Sequence, residues 1–152
     1  MSLESVRSFF AEHDPEIAVL VTEASSATVP LAAEAHGVAP EQIAKTICLR
    51  VGDTIMLIVT GGMARLDNRK FKDRFGGKAR MLDAEQVVEV TSHPVGGVCP
   101  FGLPAPLPIY CDVSLRAFDE VVPAAGATNA AVRINPERMA KLVDAQWVDV
   151  CQ

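Results

Sequence analysis

No apolar run in the 152-residue chain approaches the roughly 18 residues that a membrane-spanning helix needs; the longest are short, such as residues 55–59. The amino terminus has no basic stretch followed by an apolar one, which is unlike a secretory signal. Cysteines are few. The four (Cys48, Cys99, Cys111, Cys151) are widely spaced with no C-x-x-C pair, which argues against a zinc site or a disulfide framework. They read as reduced thiols of a cytoplasmic protein, filling core space. Positive charge is not in surplus: the net charge is −5, unlike a protein that coats DNA. The chain has no G-x-S-x-G elbow, no Walker A pattern, no dinucleotide fingerprint and no His/Asp/Glu cluster at metal-ligand spacing. Triad hydrolases and metalloenzymes are therefore set aside, and neither a metal nor a cofactor is expected.

What is present is ordinary globular material, 49% apolar and 22% charged, in a length that suits one domain with a proper core. No repeat, low-complexity tract or linker divides it, so residues 1–152 are expected to form a single domain. Helical spacing of Val6, Phe9, Phe10 and His13 predicts an opening amphipathic helix over about 3–13. A short strand is expected over 18–22. A helix capped by Thr28 should end at Gly37, and Pro40–Gln42 should form one helical turn. Residues 46–51 and 54–60 read as strands joined by a tight Gly52-Asp53 turn. A basic helix over about 67–75, a strand near 78–81 and a helix starting at Asp83 follow. Residues 92–108 hold three of the ten glycines and five of the ten prolines, which predicts a shaped loop. Strands over 108–112, 130–134 and 147–150 and a helix over 136–144 complete the reading. Hairpins mixed with helices, without strict alternation, predict an α+β fold with a mixed, curved sheet flanked by helices.

Four places could carry chemistry. Lys45 begins the first long strand among apolar neighbours. Alternation puts it on one face with Ile47 and Leu49, and Thr46, Cys48 and Arg50 on the other. A lysine so placed either snorkels to water or, partly desolvated at a cleft, serves as an electrostatic clamp or tunable acid/base. In the loop Ser92–Gly102, two glycines allow close backbone approach and the prolines stiffen it, so its N–H groups could bind a carbonyl or oxyanion; a plain connector is the alternative. Cys99 and His93, six residues apart in that loop, could form a thiol nucleophile and base if within hydrogen-bond reach. His13 and His36 fall on expected helices as surface or boundary residues. The segment Gly126-Ala127-Thr128-Asn129 could line a tight pocket or be a simple turn. Separately, Arg65 to Arg80 holds seven basic and two acidic residues, a local +5 that leaves −10 for the remainder. That patch could steer an anionic partner to one side of an acidic body, or be a solvated helix face.

Taken together, the stretch Gly37 to Thr46 with its lysine, the loop Gly96-Gly97-Val98-Cys99-Pro100 and the late segment Gly126 to Pro136 resemble the YbaK/EbsC family. That family includes the editing domain inserted in bacterial prolyl-tRNA synthetases, and the resemblance spans about residues 3–150. It implies an aminoacyl-tRNA deacylase, which cleaves the ester joining a wrong amino acid to the 3′ end of tRNA, typically tRNA for proline. Lys45 matches the family's essential lysine. Gly96 to Pro100 matches its G-x-x-x-P loop, so Gly96 and Gly97 would offer amides to the reacting carbonyl. Thr46, Val98, Cys99, Pro100, Gly126, Thr128 and Asn129 would form the substrate pocket, and Arg65, Arg69, Lys70 and Lys72 would meet tRNA. A water, helped by the terminal ribose hydroxyl, would attack; in cysteine-specific relatives the substrate's own thiol does so. Thr46 resembles the cysteine-specific branch, where alanine-specific members carry asparagine. Residues 127–130 resemble neither, so a small side chain (Cys, Ala, Ser or Thr) is implied without choosing among them. The expected partners are the aminoacyl-tRNA acceptor end and a prolyl-tRNA synthetase, with no membrane. Rival readings are a non-catalytic module of the same fold that holds tRNA or a synthetase, and a thiol enzyme using Cys99.

Overall fold

In a computed structural model, which describes residues 2–152, five helices pack on a mixed sheet. The helices are α1 (Ser2–His13), α2 (Val29–His36), α3 (Asn68–Phe75), α4 (Ala84–Thr91) and α5 (Pro136–Leu142). The strands are β1 (Leu20–Val21), β2 (Ile43–Val51), β3 (Thr54–Gly61), β4 (Arg80–Met81), β5 (Ile109–Asp112), β6 (Val122–Pro123), β7 (Ala130–Ala131) and β8 (Gln146–Val148). The main sheet runs β4-β2-β3-β5-β8, with β6 also paired to β2; β1 and β7 form a separate two-stranded ladder. β2 is antiparallel to β3 and β4, whereas β6, β5 and β8 join in parallel. The sheet is therefore mixed.

Local sequence explains most element ends. The Thr28 hydroxyl accepts from Leu31 N and Gly37 takes the left-handed conformation that closes α2. Asp67 caps α3, and Asp83 with Gln86 forms a capping box on α4. Val51 pairs with Thr54, leaving Gly52-Asp53 as the two-residue turn, with Gly52 at φ +58°. β3 lies between β2 and β5, and its residues 56–61 are buried.

The two sheet faces bury different sets. Leu49, Met56 and Ile58 pack with Phe71 of α3. On the opposite face Cys48, Leu57 and Ile109 pack with Val87 of α4. Val59 and Cys111, on that same face, join Phe10, Phe101 and Met139 beneath α1 and α5. A bidentate pair, Arg138 to Asp14 at 2.5 Å on both oxygens, ties α5 to the end of α1.

Several expected boundaries shift. The strand expected over 18–22 shortens to two exposed residues. The one expected over 130–134 is regular only at Ala130–Ala131. Its partner segment contains Pro123, which has no N–H to donate, so the ladder becomes single bridges: Ala124 with Ala131 and Val121 with Ile134. The last strand is Gln146–Val148, and α5 ends at Leu142 before Asp144, at φ +55°. Of the two histidines expected as surface or boundary residues, His36 is buried at 8% exposure, whereas His13 is exposed. β6 and the 3-10 turn Val113–Ala117 are too short for periodicity to announce.

Candidate active site

A gap in the sheet edge opens onto a cavity that brings several of the sequence-predicted site residues together. The outer side of β2 is paired with β6 at Ile43–Ala44 and with β4 at Leu49–Arg50. Between them residues 45–48 have no outer partner strand among the described residues, so their outward backbone groups are open to a ligand. A cavity of about 310 Å³ lies against this edge, near the lower end of small-molecule sites. The amino end of α2 (Thr28, Val29), the β4–α4 segment (Met81, Leu82, Val87), the loop (Val95, Gly96, Val98) and β6 and β7 complete its wall.

Lys45 and Thr46 both line the cavity but point differently. Lys45 Nζ donates to the Ala64 carbonyl at 2.5 Å. Burial lowers the Lys45 pKa below the usual lysine value; the nearby Cys151 opposes this, and the Arg65 charge adds to it. The Thr46 hydroxyl is on the face of Cys48, buried, and has no hydrogen-bond partner among the described residues. An unpaired buried hydroxyl is costly to the fold.

The glycine loop and the late turn meet backbone to backbone. Gly126 N donates to Gly97 O at 2.9 Å, and a Cβ on Gly97 would stand 2.7 Å from Ala127 N. Gly96 adopts φ +91° and a Cβ there would meet the Ala27 methyl at 2.9 Å. The loop's amides are not equivalent. Gly97 N already donates to Pro94 O at 2.8 Å. Gly96 and Val98, both in the cavity wall, have N–H groups with no acceptor among the described residues.

Other residues singled out from sequence lie behind the wall. Thr128 O accepts from Ser26 N at 2.7 Å. Asn129 grips Thr22 twice, accepting from its N–H at 2.8 Å and donating Nδ2 to its carbonyl at 3.0 Å. These two residues hold the 22–26 strap that leads into α2 and do not themselves line the cavity. Gly126, at φ +87°, sits against Ser2, whose hydroxyl donates to its carbonyl. Pro100 lines a separate depression with Phe9 and Gly102.

Cys99 and His93 come together in the core, each 0% exposed, with Sγ 3.5 Å from Nε2. His93 Nε2 is 2.7 Å from the Phe101 carbonyl, which only accepts, so Nε2 carries the proton. His93 therefore cannot take the Cys99 proton through that nitrogen. Burial pushes the thiol up to about 12. All four cysteines are free and buried.

Sequence alone did not single out Val29, Met81, Leu82 or Val87 as site residues, because an apolar residue lining a cavity has the same pattern as one filling a core, and it read Thr28 only as a helix cap. Among the described residues no group of three or more His, Cys, Asp or Glu could hold a metal ion. No helix among them is long and apolar enough to cross a membrane.

The fold is shared with known proteins. A solved structure assigned provisionally as a trans-editing enzyme for prolyl tRNA synthetase superposes with a TM-score of 0.92. It is 32% identical, over 99% of this chain and 97% of that one. The uncharacterized protein YwhH of Bacillus subtilis (strain 168) is 46% identical over all of this chain and 98% of its own length. A proline–tRNA ligase of Shouchella clausii (strain KSM-K16) is 31% identical over 113 residues, 73% of this chain but 20% of the ligase. The family described as the aminoacyl-tRNA editing domain matches residues 23–142. With the cavity, lysine and glycine loop all inside or bordering that span, this chain belongs to the aminoacyl-tRNA editing domain family, the YbaK family.

Proposed function

We propose that the protein is a trans-editing deacylase, which hydrolyses the ester of a small mischarged amino acid (Cys, Ala, Ser or Thr) on tRNA, with tRNA for proline the first candidate. The observation that carries this reading is the cavity of about 310 Å³ at the sheet gap, bordered at once by Lys45, Thr46 and the loop amides of Gly96 and Val98. Its apolar wall suits a short side chain, and such pockets separate neighbours by only ~1–3 kcal/mol per methylene, so several small amino acids would be accepted.

In this mechanism a water attacks the ester carbonyl carbon, and the carbonyl oxygen gathers negative charge. The free N–H groups of Gly96 and Val98 are suited to stabilise it, more than Gly97, whose N–H is engaged. Collapse breaks the carbon–oxygen bond to the terminal ribose, whose oxygen leaves with a proton, releasing free amino acid and tRNA. Lys45 acts as an electrostatic clamp on the substrate, not as the nucleophile.

The tRNA backbone has two candidate tracks. Arg65, Arg69, Lys70 and Lys72 belong to or precede α3, which packs on the face of Leu49 and Ile58, opposite the face of Thr46 and Cys48. Lys70 is also engaged by Asp149 and the Cys151 carbonyl. Arg50 and Arg80, by contrast, are directly opposed across β2 and β4, and Arg50 shares its face with Thr46 and Cys48. Like charges so opposed are unfavourable without an anion between them, and neither has an acidic partner among the described residues. This pair is the better placed for the acceptor backbone.

The test is to incubate labelled Cys-, Ala-, Ser- and Thr-tRNA for proline with the protein. At least one should be hydrolysed faster than in buffer, and Lys45→Ala should lower that rate at least about 100-fold, the scale of removing one stabilising donor. If no ester in the panel is cleaved above background, the enzymatic reading is lost. If hydrolysis is absent but tRNA still binds, the protein is a binding module of the same fold.

A further inference from the structure

Asp112 is a buried acid for which the proposed hydrolysis has no use. It ends β5 at 1% exposure, and no lysine or arginine pairs with it among the described residues. A buried carboxylate without an ion partner is costly unless hydrogen bonds replace its water. Both oxygens are so used: Oδ2 accepts from Ser114 N and Oδ1 from Val150 N, each at 2.9 Å.

These two bonds lead to the two ends of one loop. Ser114 Oγ accepts from Gly61 N at 3.0 Å, where β3 runs into the loop. On the other side, the segment anchored at Val150 pairs with the loop's exit. Asp67 N donates to Val150 O at 2.8 Å, Gln152 N to Arg65 O at 2.9 Å, and Leu66 bridges Cys151. Between these anchors Ala64 N turns back onto Gly61 O at 3.0 Å. The Ala64 carbonyl then faces the Lys45 ammonium at 2.5 Å.

We propose that Asp112 is a positioning residue for Lys45: its two oxygens hold both ends of the 61–67 loop, and the loop's Ala64 carbonyl holds the lysine. Its importance for activity rests on the deacylase reading; its effect on the lysine does not. A group displaced by ~1 Å from a productive position can cost on the order of 100-fold in rate. A loop with one anchor released allows displacement on that scale.

The experiment uses the full chain with lysine labelled with carbon-13 at Cε. The chain has five lysines, so Lys45→Arg identifies the Lys45 resonance by its disappearance. Asp112→Asn keeps the volume but replaces one acceptor with a donor, facing either Ser114 N or Val150 N. In the folded variant the Lys45 resonance should move towards those of the surface lysines. The kcat/KM for whichever ester is hydrolysed should fall about 100-fold. Ser114→Ala, which removes only the link to Gly61, should move the resonance less and in the same direction. Asp14→Asn, which weakens the remote pair with Arg138, should leave it in place despite lower stability. An unmoved Lys45 resonance in folded Asp112→Asn overturns the proposal. Should that variant not fold, Ser114→Ala decides alone, a moved resonance supporting the proposal and an unmoved one ending it. The spectra need no tRNA, so an inactive wild type would count against the deacylase and leave the judgement on Asp112 intact.

Discussion

At the scale of single residues, the packing of Gly97 shows how little freedom the site has. Any side chain there would press on the backbone of Ala127, at 2.7–3.0 Å from its N, C and Cα, and backbone cannot swing aside as a flexible side chain can. Gly97→Ala should therefore part the loop from the late turn, break the bond from Gly126 N to Gly97 O, and lower stability by about 1–3 kcal/mol. Urea unfolding of the two proteins measures this; equal midpoints would show that the turn yields freely. Cys99, two residues on, illustrates the opposite lesson. It has a histidine within 3.5 Å, yet burial holds its proton and the Phe101 carbonyl occupies the histidine nitrogen that faces it. Proximity of a thiol and an imidazole is not by itself a nucleophilic pair.

At the scale of elements, the basic helix packs on the face of Leu49 and Ile58, opposite the face of Thr46 and Cys48, and of the segment's basic residues Arg65 is the one whose charge reaches Lys45. The sequence shows seven basic residues between Arg65 and Arg80 as one cluster, but the fold divides them. α3 carries its share to the face of Leu49, while Arg80 in β4 returns beside Arg50 in the ladder that bounds the gap. The expected outcome is that Arg50→Ala and Arg80→Ala each weaken tRNA association and lower the salt dependence of binding, by ~0.7–0.9 in the log–log slope for each phosphate no longer neutralised. Arg69→Ala and Lys72→Ala should change the slope less. Binding titrations over a range of salt check both statements, and a larger slope change from the α3 pair would reverse the assignment.

At the scale of the whole molecule, two buried imidazoles set the acid side of stability. Burial lowers the pKa of His93 below 6.5, partly offset by its bond to the Phe101 carbonyl. His36 shifts the same way, through burial and then the Arg133 charge. Below pH 6.5 the unfolded chain takes up protons that the folded histidines refuse, so stability must fall as pH falls, by up to about 1.4 kcal/mol per pH unit for each proton withheld. The Asp14 carboxyl, lowered chiefly by its hydrogen bond to Arg138, works in a separate window: its contribution is present above 3.8 and is lost as pH drops through its folded value. Thermal unfolding should thus shift downward between pH 7 and pH 5, and less steeply in His93→Gln. A flat midpoint over that range would show that the buried imidazoles titrate as if exposed.

The sequence by itself determined the local matters, because caps, turns and alternation act between near neighbours. Thr28 and Gly37 bounding α2, the Gly52-Asp53 hairpin, Asp83 starting α4 and the irregular proline loop were all legible in it. So were Lys45, beside Ile47 and Leu49, and the glycine loop as candidate site elements. The tertiary structure alone decided which candidates face the cavity. Lys45, Thr46, Gly96 and Val98 line it. Thr128 and Asn129 brace the strap behind it. The gap between β6 and β4 was invisible in the sequence: a strand was expected near 78–81, but β6 is too short to show a period, and no local pattern says which residues of β2 each strand pairs with. The role of Asp112 was equally hidden, since Gly61, Ser114 and Val150 are far apart along the chain and meet only when the sheet closes around that one carboxylate.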